Sequence, residues 1–382
     1  MIVRLLGSQI GSTRKSILLL GPRQVGKSTL LRQLKPDLTL NLAKENEFLR
    51  YSADPQLFFD EIQSAEAKVI FIDEIQRIPS LLNSVQALID ESQGKSELRF
   101  LISGSSARKL RRGQANLLPG RVLSYEMSGL CARELGYKVD LAKALKHGFL
   151  PEPFLETSSR QAEKLLQSYS AIYLKEEIQA EALSRNIHGF ARFLLSIAAS
   201  SGQVLDFTKI ATKAKVSRSS SIRFVEILED TLIAQRIGCF EGAINADTIK
   251  HPKFYFFDVG VLNGLLENFN ISEDRKGFLF EHLVYSQIRN SALAHDLPIQ
   301  INFFRTRHGL EVDFVVQLRD QIWAIEVKSG NASDSDLRSL EAFLDYCPQV
   351  HQRVLVTPQE KKRRKNGILI CDWMTLLKEM DL

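Results

Sequence analysis

Over its first third the chain alternates short, mainly apolar runs with longer amphipathic ones. Runs at 16–20, 38–42, 69–72 and 99–102, with 121–127 as a fifth, have the length of strands, and helical periodicity fills the intervals. The run at 69–72, Val-Ile-Phe-Ile, has no polar position, which suits a strand buried on both faces. Strands alternating with helices predict a parallel sheet covered on both sides. From about 148 to 186 the pattern turns helical. Three helices follow at 190–200, 207–214 and 217–232, with Asp206 and Ser217 as N-caps. Two β-like runs, 233–240 and 253–257, flank a polar bend at 245–247, and three helices before a hairpin is the order of a winged helix. The last third is a separate α/β pattern: an amphipathic helix at 277–290, strands at 299–305, 311–318 and 322–328, a helix at 334–344, and strands at 353–357 and 367–371. The expected organisation is three segments, 1–145, 146–262 and 263–382.

Composition adds constraints. A length of 382 residues exceeds one ordinary core, and 44% hydrophobic with 25% charged residues is the balance of a soluble globular protein. The net charge of +5 permits nucleic-acid binding without demanding it. Cys131, Cys239, Cys347 and Cys371 are far apart and form no CxxC pair, which argues against structural zinc and a disulfide framework. A reducing cytoplasm is the simplest compartment. The N-terminal apolar run leads into a glycine-rich loop, not a small-residue cleavage site, and reads as a helix tip and a core strand. No stretch reaches the apolar length of a membrane span, so no membrane partner is expected.

The sharpest chemistry follows the first strand. Gly21-Pro22-Arg23-Gln24-Val25-Gly26-Lys27-Ser28 is GxxxxGK[ST] without a departure, and Thr29 follows. Gly21 and Gly26 allow the backbone to turn its amides inward around a β-phosphate at a helix N-terminus. Lys27 reaches the β- and γ-phosphates of ATP, and Ser28 ligates Mg²⁺. The buried strand at 69–72 delivers Asp73 and Glu74 to its C-terminal end, where ligands bind in open α/β sheets. Asp73 holds Mg²⁺ through water in this reading, and Glu74 polarises the attacking water. The strand at 99–102 ends in Ser103-Gly104-Ser105-Ser106. Ser103 there is either a γ-phosphate sensor between the two halves of the site or part of a plain strand-ending turn. Arg121 begins the fifth strand and is either an arginine finger, in cis or in trans, or a surface ion pair.

Two further constellations stand outside the nucleotide site. Asp313, then Glu326-Val-Lys328 on the next predicted strand, is similar to the PD-(D/E)xK nuclease motif. Glu326 and Lys328 share a face by the period of two, and Asp313 reaches the same spot from its neighbour. Two carboxylates would hold Mg²⁺ there, with Lys328 orienting water and Glu281 on the preceding helix adding a third carboxylate. The alternative is a half-exposed sheet with Lys328 paired to Glu326 or Asp313. In the predicted winged helix, Arg218, Ser219 and Arg223 open the third helix and suit DNA-phosphate contact. A protein-interaction module is the alternative. The run at 361–365 is either a solvated loop or a DNA-backbone contact.

With GPRQVGKST, VIFIDEIQRIP, LISGSSARKL and LPGRVLSYEM read, the chain resembles the prokaryotic AAA-type ATPases that carry a C-terminal domain of unknown function. HGFLPEPF, KHPKFYFFDVGVLNGLL, GFLFEHLV, RTRHGLEVDFVV and IEVKSG extend the resemblance over nearly the whole chain. It implies an α/β fold: a P-loop ATPase domain with a parallel sheet, then a helical and winged-helix domain, then a restriction-endonuclease-like α/β domain. It also implies ATP and Mg²⁺ as cofactors. The leading expectation is an oligomeric ATPase, a hexamer being one form, that moves or remodels duplex or branched DNA. The alternatives are an ATP-dependent switch for protein partners with an inactive nuclease-like scaffold, and an ATP-gated metal-dependent nuclease.

Overall fold

A computed structural model describes residues 2–92, 98–105, 118–180 and 187–382, with the backbone alone for 173–180. Ser106 and the rest of 106–117, which the sequence analysis touches, lie outside the described residues. The chain divides into two compact units: residues 1–128 with 230–232, and residues 129–229 with 233–382.

The first unit is built on a five-stranded sheet of β1 (Ser16–Leu20), β2 (Leu38–Asn41), β3 (Val69–Asp73), β4 (Arg99–Gly104) and β5 (Val122–Glu126). Its order is β2-β3-β4-β1-β5, and every pairing is parallel. Such pairing requires crossovers, and helices including Lys27–Gln33 and Leu81–Ser92 supply them. One core cluster, with Ile70, Ile72, Phe100, Ile102, Leu82 and Val85, fills the space between sheet and helices. The insertion of β4 between β1 and β3 places the ends of three strands side by side.

The second unit carries the three expected helices, Ile187–Ala198, Phe207–Ala214 and Arg218–Asp230. Asp206 accepts from the backbone N–H groups of Thr208 (2.9 Å) and Lys209 (3.1 Å), as an N-cap should. Phe224 packs edge-on at 5.0 Å from Phe190 and 5.3 Å from Phe193. β6 (Ala234–Ile237) and β7 (Lys253–Phe256) pair antiparallel. Beyond the helix Glu273–Ala294 lies a six-stranded mixed sheet of β8 (Ile299–Arg305), β9 (Glu311–Leu318), β10 (Gln321–Val327), β11 (Gln352–Thr357), β12 (Arg363–Lys365) and β13 (Ile368–Asp372). β8, β9 and β10 form an antiparallel meander, and β10 then pairs parallel with β11 after the helix Arg338–Tyr346. The middle and last segments expected from the sequence thus fall in one unit. The basic run at 361–365 is not simply a loop, because Arg363–Lys365 is an edge strand paired with β13. All four cysteines are free. Among the described residues no helix is long and apolar enough to cross a membrane.

Candidate functional site

β1 ends at Leu20 and releases the loop Gly21–Gly26 into the helix Lys27–Gln33. The loop turns through left-handed backbone at Gln24 (φ 61°) and Gly26 (φ 99°). A Cβ on Gly21 would lie 2.1 Å from the carbonyl oxygen of Met127, so only glycine fits this approach. Lys27 is 5% exposed and folds over the loop, donating to the carbonyl oxygens of Gly21 (2.8 Å) and Pro22 (2.7 Å). Burial pushes its ammonium down to about 8, against the opposing pull of Glu74 and Asp73. Ser28 Oγ donates to Asp73 Oδ1 at 2.8 Å. Thr29 is exposed, as is Gln24.

Ser103, fully buried at the end of β4, donates to the same Asp73 oxygen at 2.5 Å. The backbone N–H of Glu74 donates to Ser103 Oγ at 3.2 Å. Arg32 lies 3.4 Å from the other Asp73 oxygen. Glu74 leaves β3 through left-handed backbone, φ 61° and ψ 45°, and the amide of Gln76 donates to its carboxylate. The same amide nitrogen donates to Ser105 Oγ (2.9 Å), while Gln76 Oε1 accepts from the Ser105 N–H (3.2 Å). Lys27, Ser28, Asp73, Glu74 and Ser103 therefore meet at the C-terminal edge of the sheet. The sequence analysis missed Gln76 and also Arg4, which donates to the Val25 (2.7 Å) and Ser128 (2.9 Å) carbonyls and so ties the loop down.

Arg121 does not join them. Val122 is level with Ser16, and Glu126 with Leu20, so Arg121 precedes β5 at the edge where the strands begin. Roughly 15–20 Å of strand separates that edge from the P-loop. Its guanidinium instead grips Asp90 through two bonds, 2.7 and 2.9 Å. This corrects the expectation of a finger acting in cis and matches the surface ion pair.

In the second unit Glu281, Asp313, Glu326 and Lys328 do come together, with partners the sequence did not announce. Lys328 donates to Glu326 Oε1 at 2.6 Å, and Asp313 Oδ2 accepts from the Val327 N–H at 2.9 Å. Tyr255 donates to Glu281. Lys253, 5% exposed, lies 2.9 Å from Glu311 and 3.7 Å from Glu281. Burial, then the Asp313 carboxylate, pushes Glu281 up to about 7 and Glu326 up to about 8; burial also raises Asp313. Arg218, Ser219 and Arg223 are all exposed on the helix Arg218–Asp230.

A glycine-rich loop beside a strand-end Asp-Glu pair, on a parallel sheet with β4 inserted between β1 and β3, is the arrangement of a P-loop nucleotide-binding domain. Residues 13–136 match a family model described as an AAA domain. Residues 138–272 and 276–376 match two further models, each described as a domain of unknown function. Uncharacterized proteins of Mycobacterium bovis and of Mycobacterium tuberculosis are each 26% identical over 358 residues, covering 91% of this chain and 77% of theirs. Among solved structures, a replication initiator DnaA bound to AMPPCP and single-stranded DNA aligns at 12% identity over 59% of this chain and 86% of its own, with a TM-score of 0.30. A protein from Vibrio cholerae aligns at 14% identity over 96% of both chains, with a TM-score of 0.22.

Proposed function

We propose that this chain is a DNA-associated ATPase that binds Mg–ATP at Gly21–Thr29 and hydrolyses it with Glu74 as the water-polarising base. The observation that carries the ATPase reading is the convergence of Ser28 and Ser103 on the Asp73 carboxylate beneath the loop. The Ser28 hydroxyl beside a buried Asp73 oxygen fits Mg²⁺, with Ser28 as direct ligand and Asp73 acting through water. Bound Mg²⁺ would neutralise the β- and γ-phosphates. Lys27 would turn from its loop carbonyls to those phosphates, and Ser103 would hold Asp73 and the Glu74 backbone in register.

The DNA reading is supported by the exposed Arg218, Ser219 and Arg223 after a helix–turn–helix step. A groove of about 780 Å³ beside the end of β10, lined by Lys276, Ser329, Asn331, Glu360 and Lys361, carries two cationic side chains against one acid. A helix, a three-strand meander, a helix and a parallel strand support the nuclease-like reading of the last segment. Assembly into a homo-oligomer, with Arg121 reaching a neighbouring copy in trans, completes the proposal. A second reading, a switch for protein partners with a silent nuclease-like scaffold, is favoured by the lysine inside the carboxylate cluster.

The test is the ATP hydrolysis rate with no DNA, duplex DNA and a four-way junction, for wild type and Glu74→Gln. A rise of about tenfold with DNA, about 1.4 kcal/mol of barrier, is expected for wild type. Glu74→Gln should bind ATP and not turn it over. Real basal turnover indifferent to every DNA would move the assignment to the protein-partner switch, and normal turnover by Glu74→Gln would remove Glu74 from its role.

A further inference from the structure

We propose that Lys253 is the resident cation of the C-terminal carboxylate cluster, and that its ammonium excludes a divalent metal ion from Glu281, Asp313 and Glu326. The proposal rests on the nuclease-like reading of the last segment only for the identity of the ion excluded.

The placement is unusual for a lysine. Lys253 opens β7, and its side chain runs inward over the ring of Phe303, 5.5 Å from the centroid. It ends between Glu311 Oε1 and Glu281 Oε1 at 2.9 and 3.7 Å. A lysine this buried keeps its full charge where carboxylates compensate it. Here the carboxylates of Glu281, Asp313 and Glu311 outweigh the desolvation and hold the ammonium above its usual range. Lys253 is therefore charged, and it is a cation supplied by the chain at the place where the acids converge.

One oxygen of each of the three acids is already engaged. Glu281 receives the Tyr255 hydroxyl as well as Lys253, Asp313 Oδ2 receives the Val327 N–H, and Glu326 Oε1 receives Lys328. Arg305, 3.3 Å from Glu311, adds further positive charge. Four carboxylates thus face three cationic side chains, leaving little net charge to attract a dication. Among the described residues no group of three or more His, Cys, Asp or Glu side chains is set to hold a metal ion. The metal implied by the PD-(D/E)xK resemblance does not fit this cluster while Lys253 is in place. Glu326 Oε2 is buried and without a hydrogen-bond partner, in a residue 7% exposed.

The test uses the full chain without nucleotide and follows Mn²⁺ binding by electron paramagnetic resonance of the free ion. Wild type, Lys253→Met, and Lys253→Met combined with Asp313→Asn are compared. Lys253→Met should bind one Mn²⁺ at least about tenfold more tightly than wild type, and adding Asp313→Asn should abolish that gain. If Lys253→Met does not fold, Lys253→Met with Glu311→Gln removes the ion pair as a unit and carries the same expectation. Wild type provides an independent readout, since Mn²⁺ binding to the native cluster would raise its melting temperature and none is expected. Equal Mn²⁺ affinity in wild type and the lysine variants, or binding in neither, overturns the proposal. Plasmid nicking by the same proteins separates the two readings: a lysine variant that binds Mn²⁺ without nicking leaves this inference standing and sinks nuclease competence.

Discussion

Replacing Gly21 by alanine is the smallest change that should disable the nucleotide site. The new methyl would sit 2.1 Å from the Met127 carbonyl oxygen and 3.1 Å from its carbon, with Val25 Cγ2 at 3.4 Å. The obstacle is backbone and cannot rotate away. Met127 is also fixed, because its N–H donates to the Leu20 carbonyl at 2.8 Å, continuing the ladder between β1 and β5. Relief therefore requires the loop or the strand end to move by about 1 Å, since carbon seldom approaches oxygen closer than about 3 Å. Overpacking of this kind costs about 1–3 kcal/mol, and losing the Met127 ladder bond adds about 1 kcal/mol. If the loop yields, about 1–3 kcal/mol is taken from phosphate binding, which is roughly 5-fold to 160-fold in Kd. If the strand end yields, the ladder bond is lost as well and about 2–4 kcal/mol appears as a lower Tm. Titration with a fluorescent ATP analogue and a melting curve on the same sample read both. Gly11→Ala is the control, since its Cβ meets only Leu34 Cδ2 at 3.7 Å, an ordinary contact in the helix Leu6–Ser12, so Kd should stay at wild type and Tm should hold or rise. A Gly21→Ala protein within about threefold of wild type in Kd, and unchanged in Tm, would refute the reasoning.

Three further outcomes are expected. Ser103→Ala removes the 2.5 Å bond to Asp73 and the acceptor of the Glu74 N–H, so kcat should fall about tenfold to a hundredfold with the ATP Kd nearly unchanged; an unchanged kcat would make Ser103 a plain strand-ending residue. Lys27 has its folded-state pKa depressed to about 8, below the unfolded 10.5, so the unfolded chain holds the extra proton between those values and stability rises with pH across that window. Phosphate needs the ammonium, so ATP binding near pH 8.5 should take up a proton, and calorimetric heats identical in buffers of different ionisation enthalpy would contradict this. Arg121→Ala and Asp90→Ala break the same exposed pair and should change Tm equally little, but only the arginine change should lower ATPase in the assembled state, by about 10³-fold if it acts in trans; equal, small effects on ATPase would reduce Arg121 to its ion pair.

Much of the first unit was legible because its signals are local. Five mainly apolar runs became five strands with ends shifted by a residue or two, clearest in the central strands, which are buried on both faces. Gly21, Gly26, Lys27 and Ser28 follow from the backbone a phosphate requires. Arg121 was left open between a finger and a surface ion pair, although its sequence position already argued against action in cis. It stands at the start of a strand, and in a parallel sheet all starts lie on the edge away from the ligands. Lys253 was not legible. It sits in His-Pro-Lys-Phe-Tyr-Phe-Phe, which reads as an ordinary strand entrance, and its partners lie 28 and 58 residues further along the chain, at Glu281 and Glu311. Only the tertiary fold brings β7 against the helix and strand that carry those acids. The charge run at 361–365 misled in the opposite way. Lys362, Arg363 and Lys365 have acidic partners in Glu379, Glu360 and Asp334, so much of its apparent basicity is neutralised in place.

The nucleotide site and the carboxylate cluster contain similar residue types but differ in what their side chains are left to do. In the first unit, hydrogen bonds connect successive strand ends: Ser28 to Asp73, Asp73 to Ser103, Ser103 to the Glu74 N–H, and Glu74 through Gln76 to Ser105. Each bond fixes a geometry between elements, and the buried cation, Lys27, rests on carbonyls of its own loop, which it can leave for a phosphate at little electrostatic cost. In the second unit the buried cation rests on carboxylates, and leaving them would strand negative charge in a half-buried pocket. The first arrangement is poised to exchange a weak neutral partner for a strong anionic one. The second has already made its strong exchange, inside the chain. That asymmetry is why chemistry is assigned to the P-loop and not to the carboxylate cluster of the second unit.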